Sequence, residues 1–227
     1  LFFTVIGVQA QQDAQYTHYM YNTANINPAY AGSRECLSVF GLYRAQWVGL
    51  DGAPNTGSFA ISSPITGTNV GLGLTATNDR IGPSNETNVS ADFSYTVPTS
   101  ETYKLSFGVK GSLNFLNIDF TKLTKQDPND PRMAYNVNNN FTPNVGAGIY
   151  LHSDKTYFGL SVPNILEVKH YDGNTIASNN YQARERMNLY AIAGHVFDLS
   201  ETIKFKPAAM AKVVTGAPLQ VDVTGNF

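Results

Sequence analysis

Four histidines, His18, His152, His170 and His195, lie far apart, without the i, i+4 or short spacings of a sequence-readable metal site. No metal and no cofactor is expected. His152 is followed by Ser153, a pairing a hydrolase could use, but no orienting third residue stands nearby and the pair borders a short turn. It is read as coincidence. Gly159-Leu160-Ser161-Val162-Pro163 lacks the second glycine of a nucleophile elbow, and Asp127-Pro128-Asn129-Asp130-Pro131 lacks the glycine and terminal glutamate of a calcium loop. Sequons at Asn85, Asn88 and Asn140 follow from the abundance of asparagine. No catalytic residue is expected, and the chain reads as a non-enzyme.

The remaining chemistry is charge, and there is little of it: 14% of residues, against about 25% in soluble domains, with a net charge of -2. No basic field would attract nucleic acid. Arg44, Asp92, Lys104, Lys110 and Asp222 fall on the polar rows of alternating segments, where they would face the inside of a barrel as an ion-pair network or as solvated pore residues.

Those segments dominate the chain. Val70, Leu72, Leu74 and Ala76 alternate with Gly71, Gly73, Thr75 and Thr77; Val89 to Val97 and Tyr103 to Leu113 alternate as regularly. A helix would scatter their charges over both faces. Ten strands are predicted: Leu37–Trp47, Gly57–Ser63, Val70–Thr77, Asn88–Val97, Tyr103–Asn114, Val145–Leu151, Tyr157–Val162, Leu189–Phe197, Ile203–Val214 and Leu219–Phe227. The faces of the seventh and eighth are not assignable. The even-numbered connections are short, whereas the fifth (Phe115 to Pro143) and seventh (Pro163 to Asn188) are long and only the ninth is plainly tight. In an up-and-down barrel that parity puts the even turns and the N-terminus in the periplasm and the odd loops outside. Tyr95 and Tyr103 then flank an inner turn, and Trp47 marks the outer rim. The predicted fold is all-β, a transmembrane up-and-down antiparallel β-barrel; a soluble sandwich or lipocalin-like barrel also alternates, but low charge and loop parity favour the membrane.

Residues 1–10 are apolar, too short to span as a helix, and end in Val8-x-Ala10, which fits the tail of a secretory signal peptide with the mature chain starting at Gln11. Residues 11–35 lack a period and form a lead-in or plug segment; residues 36–227 are the barrel. The single cysteine, Cys36, is expected to be a small strand residue and has no disulfide partner.

Asn27-Pro28-Ala29-Tyr30-Ala31-Gly32 and Arg44-x-Gln46-Trp47-Val48-Gly49-Leu50-Asp51-Gly52-Ala53-Pro54-x-Thr56 resemble the PorP/SprF family of the type IX secretion system of Bacteroidota. Asn78-Asp79-Arg80-Ile81-Gly82-Pro83, Phe107-Gly108-Val109-Lys110-Gly111, Gly159 to Asn164, and Gly216 to Asp222 match in order, so the resemblance runs from about Gln11 to Phe227. It implies an outer-membrane barrel embedded in lipid that works with other type IX secretion components and handles a large cell-surface adhesin, in gliding species for motility. It implies no catalytic residues, and it implies further strands after Phe227, so the barrel is expected to be incomplete here. A porin-like channel for small solutes is the alternative.

Overall fold

A computed structural model describes residues 22–122, 136–167, 187–214 and 217–227. The signal remnant, the first part of the lead-in, His18, His170, Asp127–Pro131, most of the seventh connection and Gly216 lie outside the described residues.

Alternation produces the strands it predicts. They are β1 (Ser38–Ala45), β2 (Asn55–Pro64), β3 (Val70–Ile81), β4 (Ser84–Pro98), β5 (Lys104–Ile118), β6 (Val137–His152), β7 (Thr156–Val162), β8 (Asn188–His195), a two-residue β9 (Phe197–Asp198), β10 (Lys204–Val214) and β11 (Gln220–Asn226). All pair antiparallel in chain order, with β8 beside β10 and β9 carrying on the β8 side of β10. This is an up-and-down β-barrel wall, and it is incomplete: among the described residues β1 and β11 do not pair with each other.

One face of the sheet is apolar and open. Leu72, Leu74, Phe93, Tyr95, Phe107, Val109, Val145, Ile149 and Val223 are all exposed. The register aligns them into a band: Val70, Tyr95, Phe107 and Ile149 share one rung, and Leu74, Ala91, Gly111 and Val145 another. Five such residues on one strand cover about 26 Å of its length, matching the apolar belt of an outer-membrane barrel, about 25 Å tall. The opposite row is polar and buried, with Thr75, Ser90, Asp92, Ser94, Ser106, Lys110, Ser112, Asn114 and Asn144. An apolar exposed face over a polar buried one is the reverse of a soluble domain and defines a wall that spans lipid. The undetermined faces also resolve: Tyr157, Gly159 and Ser161 of β7 and Asn188, Tyr190 and Ile192 of β8 fall on the inner row.

Three boundaries move. Trp47 is not in a strand: β1 stops at Ala45, Gln46 N donates to Pro54 O at 3.0 Å, and Trp47 takes a left-handed backbone (φ 51°) inside the first turn. The third connection is tighter than the ninth, since Gly82 and Pro83 alone separate β3 from β4. The fifth connection is shorter than predicted, because Phe115 and Pro143 both lie in strands. The strands β4, β5 and β6 have 15, 15 and 16 residues, so their odd-turn ends rise beyond any membrane belt. At those ends the alternation breaks, with Ser84 to Asn88 polar on both faces and Phe115 next to Leu116, which hides them from a period-2 reading. Cys36 is exposed in the bend ahead of β1.

Candidate functional site

The inner face is occupied. Residues 22–32 run across it as a helical turn α1 (Thr23–Ile26) followed by a 3-10 turn (Pro28–Tyr30), with Asn27, Pro28 and Ala29 buried without residue. Neither turn is long enough to persist alone. The wall supplies what they lack.

Space comes first. Gly71, Ser94, Gly108, Gly148 and Ser161, from five consecutive strands, stand opposite one another on a single inner rung. A Cβ on Gly71, Gly108 or Gly148 would approach Ala31 O, Ala29 N or Asn27 Oδ1 closer than the 3.0 Å that real Cβ atoms keep. Gly32 at the end of the segment needs both freedoms of glycine: its φ is +72°, and its own Cβ would stand 2.8 Å from Gly71 Cα. These residues form a furrow one backbone wide.

Hydrogen bonds then fix the segment within it. Asn27 Nδ2 donates to Ile149 O at 3.0 Å, and Asn27 Oδ1 accepts from Ala29 N at 3.0 Å, capping the 3-10 turn. Ser94 Oγ donates to Ala31 O at 2.6 Å and Ser161 Oγ to Ile26 O at 2.7 Å. Asn22 Nδ2 donates to Ser58 Oγ at 2.9 Å. Buried carbonyls of an irregular segment are thereby satisfied by side chains of the wall.

One rung further on, Asp92 and Lys110 face each other across β4 and β5. Lys110 Nζ lies 3.4 Å from Asp92 Oδ1 and donates to Ala24 O at 3.1 Å and Asn25 O at 2.9 Å. Among the described residues this is the one ion pair with both side chains buried. Neither carboxylate oxygen accepts a hydrogen bond within standard geometry, so Lys110 is the main compensation for that charge.

At the even-turn end, Tyr30 meets Tyr150 edge-on with ring centroids 5.5 Å apart, and its hydroxyl accepts from Arg34 Nε at 2.8 Å. Tyr150 stacks on His152, and Ile26, Ala29, Tyr190, Ile192, Ala208 and Met210 complete an apolar cluster. The start of the seventh connection also folds inward: Asn144 exchanges hydrogen bonds with Leu166 N and O, and Pro163 covers Gly146.

The other charges do not join Asp92 and Lys110 in one network. Arg44 shares a rung with Thr56, Asp79 and Glu86 nearer the odd turns, where Thr56 Oγ1 donates to Asp79 Oδ1 at 2.6 Å. Lys104 sits at the even-turn rim, paired with Glu35, whose carboxyl this contact holds below the usual range. Asp222 stands on the inner row of β11 opposite Met210. Lys212, fully buried with its ammonium 5.6 Å from the Tyr190 ring centre, was not singled out by the sequence reading, because β10 alternates poorly. Of the turn residues, Gly52 and Gly82 meet, Gly82 N donating to Gly52 O at 2.9 Å, so the first and third turns are tied. Gly49 has a positive φ, Asp51 is exposed, and Pro54 is buried beneath the first turn.

Catalytic geometry is not assembled from the residues considered for it. Ser153 Oγ donates to Thr156 O and accepts from Thr156 N, closing the sixth turn. Among the described residues no three His, Cys, Asp or Glu side chains come together.

A lipid-facing antiparallel wall with residues 22–32 seated on its inner face defines a β-barrel membrane protein. Its sequence matches, over residues 8–227, the family described as type IX secretion system membrane protein PorP/SprF. The chain belongs to that family. No curated protein and no solved structure matches it.

Proposed function

We propose that this chain is an outer-membrane component of type IX secretion that binds a large cell-surface adhesin and helps to export or retain it, in gliding species for gliding motility. The lead-in of residues 11–35 acts as a plug. The observation that carries this reading is the seated segment, whose carbonyls are held by Lys110, Ser94 and Ser161 in a furrow that fits its backbone. A barrel wall with residues 22–32 seated on its inner face suits partner binding better than solute passage.

The long odd connections, the fifth between Ile118 and Val137 and the seventh between Val162 and Asn188, are the recognition elements, since loops on a rigid barrel are where contact residues collect. Other type IX components are partners at the periplasmic rim. The deciding experiment replaces residues 121–134 or 169–185 with a short Gly-Ser linker in the full-length protein, verifies insertion by the heat-modifiable gel shift, and scores adhesin display. Loss of display with normal insertion supports the reading; undiminished display in both variants refutes it. Ion conductance of the wild type in planar bilayers would favour the channel.

A further inference from the structure

Above the apolar belt, on the lipid-facing row, the odd-turn ends of β3 to β6 carry a polar step. Arg80, Asn85 and Asn117 share one outward rung. The rung beneath it holds Asn78, Thr87, Phe115 and Phe141, with the two phenyl rings 5.5 Å apart, and the next holds Ala76, Val89, Leu113 and Pro143. Along one line of the wall, the surface therefore passes from aliphatic to aromatic to cationic and amide.

That upper rung opens into a cleft of about 390 Å³ between the β3–β4 turn and the tops of β5 and β6, lined also by Asp119, Lys122, Asn136 and Asn138. Its internal bonding leaves a definite surplus. Asp119 Oδ1 accepts from Thr121 N, Thr121 Oγ1 and Asn136 Nδ2, and Lys122 lies 3.8 Å from Asp119 Oδ2. Asn85 Oδ1 accepts from Asn78 Nδ2 at 2.8 Å, which leaves the Asn85 amide NH2 as a donor. Arg80 makes no ion pair with a described residue and is exposed. The cleft thus presents a guanidinium, a loosely held ammonium and several amides.

We propose that this cleft binds the phosphorylated sugar headgroup of an outer-leaflet glycolipid, with its acyl chains lying on Phe115, Phe141, Val89 and Leu113. A guanidinium pairs with phosphate through two parallel hydrogen bonds. Asparagine amides offer both donor and acceptor to sugar hydroxyls. The belt directly below supplies the apolar surface that a diacyl or polyacyl tail requires. A free phosphate would engage Arg80 and Lys122 and leave the amides and the belt unused; a phospholipid headgroup would leave most of the amides idle. The assignment to the outer leaflet rests on the reading that the odd turns face outward.

The test uses the full-length protein in detergent, with the fold of each variant verified by the heat-modifiable gel shift. Retention of an acylated bis-phosphorylated diglucosamine is read by native mass spectrometry for wild type, the double variant Arg80→Ala/Asn85→Asp, and Lys204→Ala at the opposite rim. The expected result is roughly tenfold weaker retention in the double variant, the scale of one lost charge-assisted contact, and wild-type retention in Lys204→Ala. Equal retention in all three overturns the proposal. Equal binding of phosphatidylglycerol, or displacement by millimolar inorganic phosphate, overturns the sugar assignment. Separately, thiol labelling of Val48→Cys in a Cys36→Ser background on whole cells reads orientation. Labelling from outside supports the outer-leaflet site, and its failure with retained binding in detergent defeats the orientation reading alone.

Discussion

Asp92 and Lys110 stand opposite each other on β4 and β5, charges 3.4 Å apart, and Lys110 reaches past Asp92 to hold the carbonyls of Ala24 and Asn25. One ammonium therefore joins the barrel wall to the segment inside it. Removing one partner of a buried pair costs about 3–5 kcal/mol, because the other charge is left without compensation. Lys110→Met is expected to lower the temperature at which the gel-mobility shift is lost, and to open residues 22–35 to protease. Lys110→Met/Asp92→Leu should recover much of the thermal loss while leaving the segment accessible. A double variant as unstable as the single one would disprove the pairing role.

Gly108 and Gly111 lie three residues apart but face opposite sides of β5. A Cβ at Gly108 meets the backbone of Pro28 and Ala29, whereas one at Gly111 meets nothing within 4 Å. Gly108→Ala should therefore displace the segment at a cost of about 1–3 kcal/mol, the usual range for overpacking. Gly111→Ala should be silent. Limited proteolysis of the two variants side by side measures the contrast.

Asn27→Ala removes the donor to Ile149 O and the cap on Ala29 N in a site with no exposure. Leaving these groups unsatisfied costs about 1–3 kcal/mol. The expected outcome is faster amide exchange at Ala29 and protease cleavage near it, with strand amides in β4 and β5 unchanged. If β4 and β5 loosen equally, the segment is part of the wall's folding rather than an insert.

Val109 is exposed at mid-belt on the outer face. Val109→Arg would place a cation near the bilayer midplane and cost about 2–4 kcal/mol. Insertion yield into vesicles is the readout. Normal insertion would argue against a lipid-facing wall.

At the even-turn end, Lys155 pairs with Asp198, joining the sixth and eighth turns. The hydrogen bond from Lys155 holds the Asp198 carboxyl below the usual range and raises the Lys155 ammonium. The Asp198 contribution is present above the ordinary carboxylate range near pH 4 and fades as pH falls through the lower folded value. The Lys155 contribution lasts through the ordinary lysine range and fades only at still higher pH. Amide exchange at Val196, which donates to Lys155 O, should be slower than in Asp198→Asn between about pH 5 and 9. The difference should vanish under acid and shrink with salt. A difference that persists at pH 2 would mean that the ion pair is not its source.

Much of the wall was legible because a strand side chain has only two directions. Val70 to Thr77 and Val89 to Val97 declare their faces through a strict period of two, and the lipid side follows from low charge and loop parity. The upper ends of β3 and β4 were not legible: Asn78, Arg80, Asn85 and Thr87 on one face and Asp79 and Glu86 on the other are all polar, so alternation carries no signal. Trp47 was misplaced for a different reason, since a left-handed residue inside a turn has no periodicity to betray it.

The sequence by itself determined strand identity, facing and family, all properties of residues close along the chain. It also placed glycines on the polar rows at Gly71 and Gly108, a sign of close approach without the object approached. Only the tertiary structure brought Gly71 and Gly108, together with Gly148, onto one rung beneath Asn27 to Gly32, and set Asp92 against Lys110. Register between strands decides such meetings, and register is a relation among distant segments that no single stretch of chain contains.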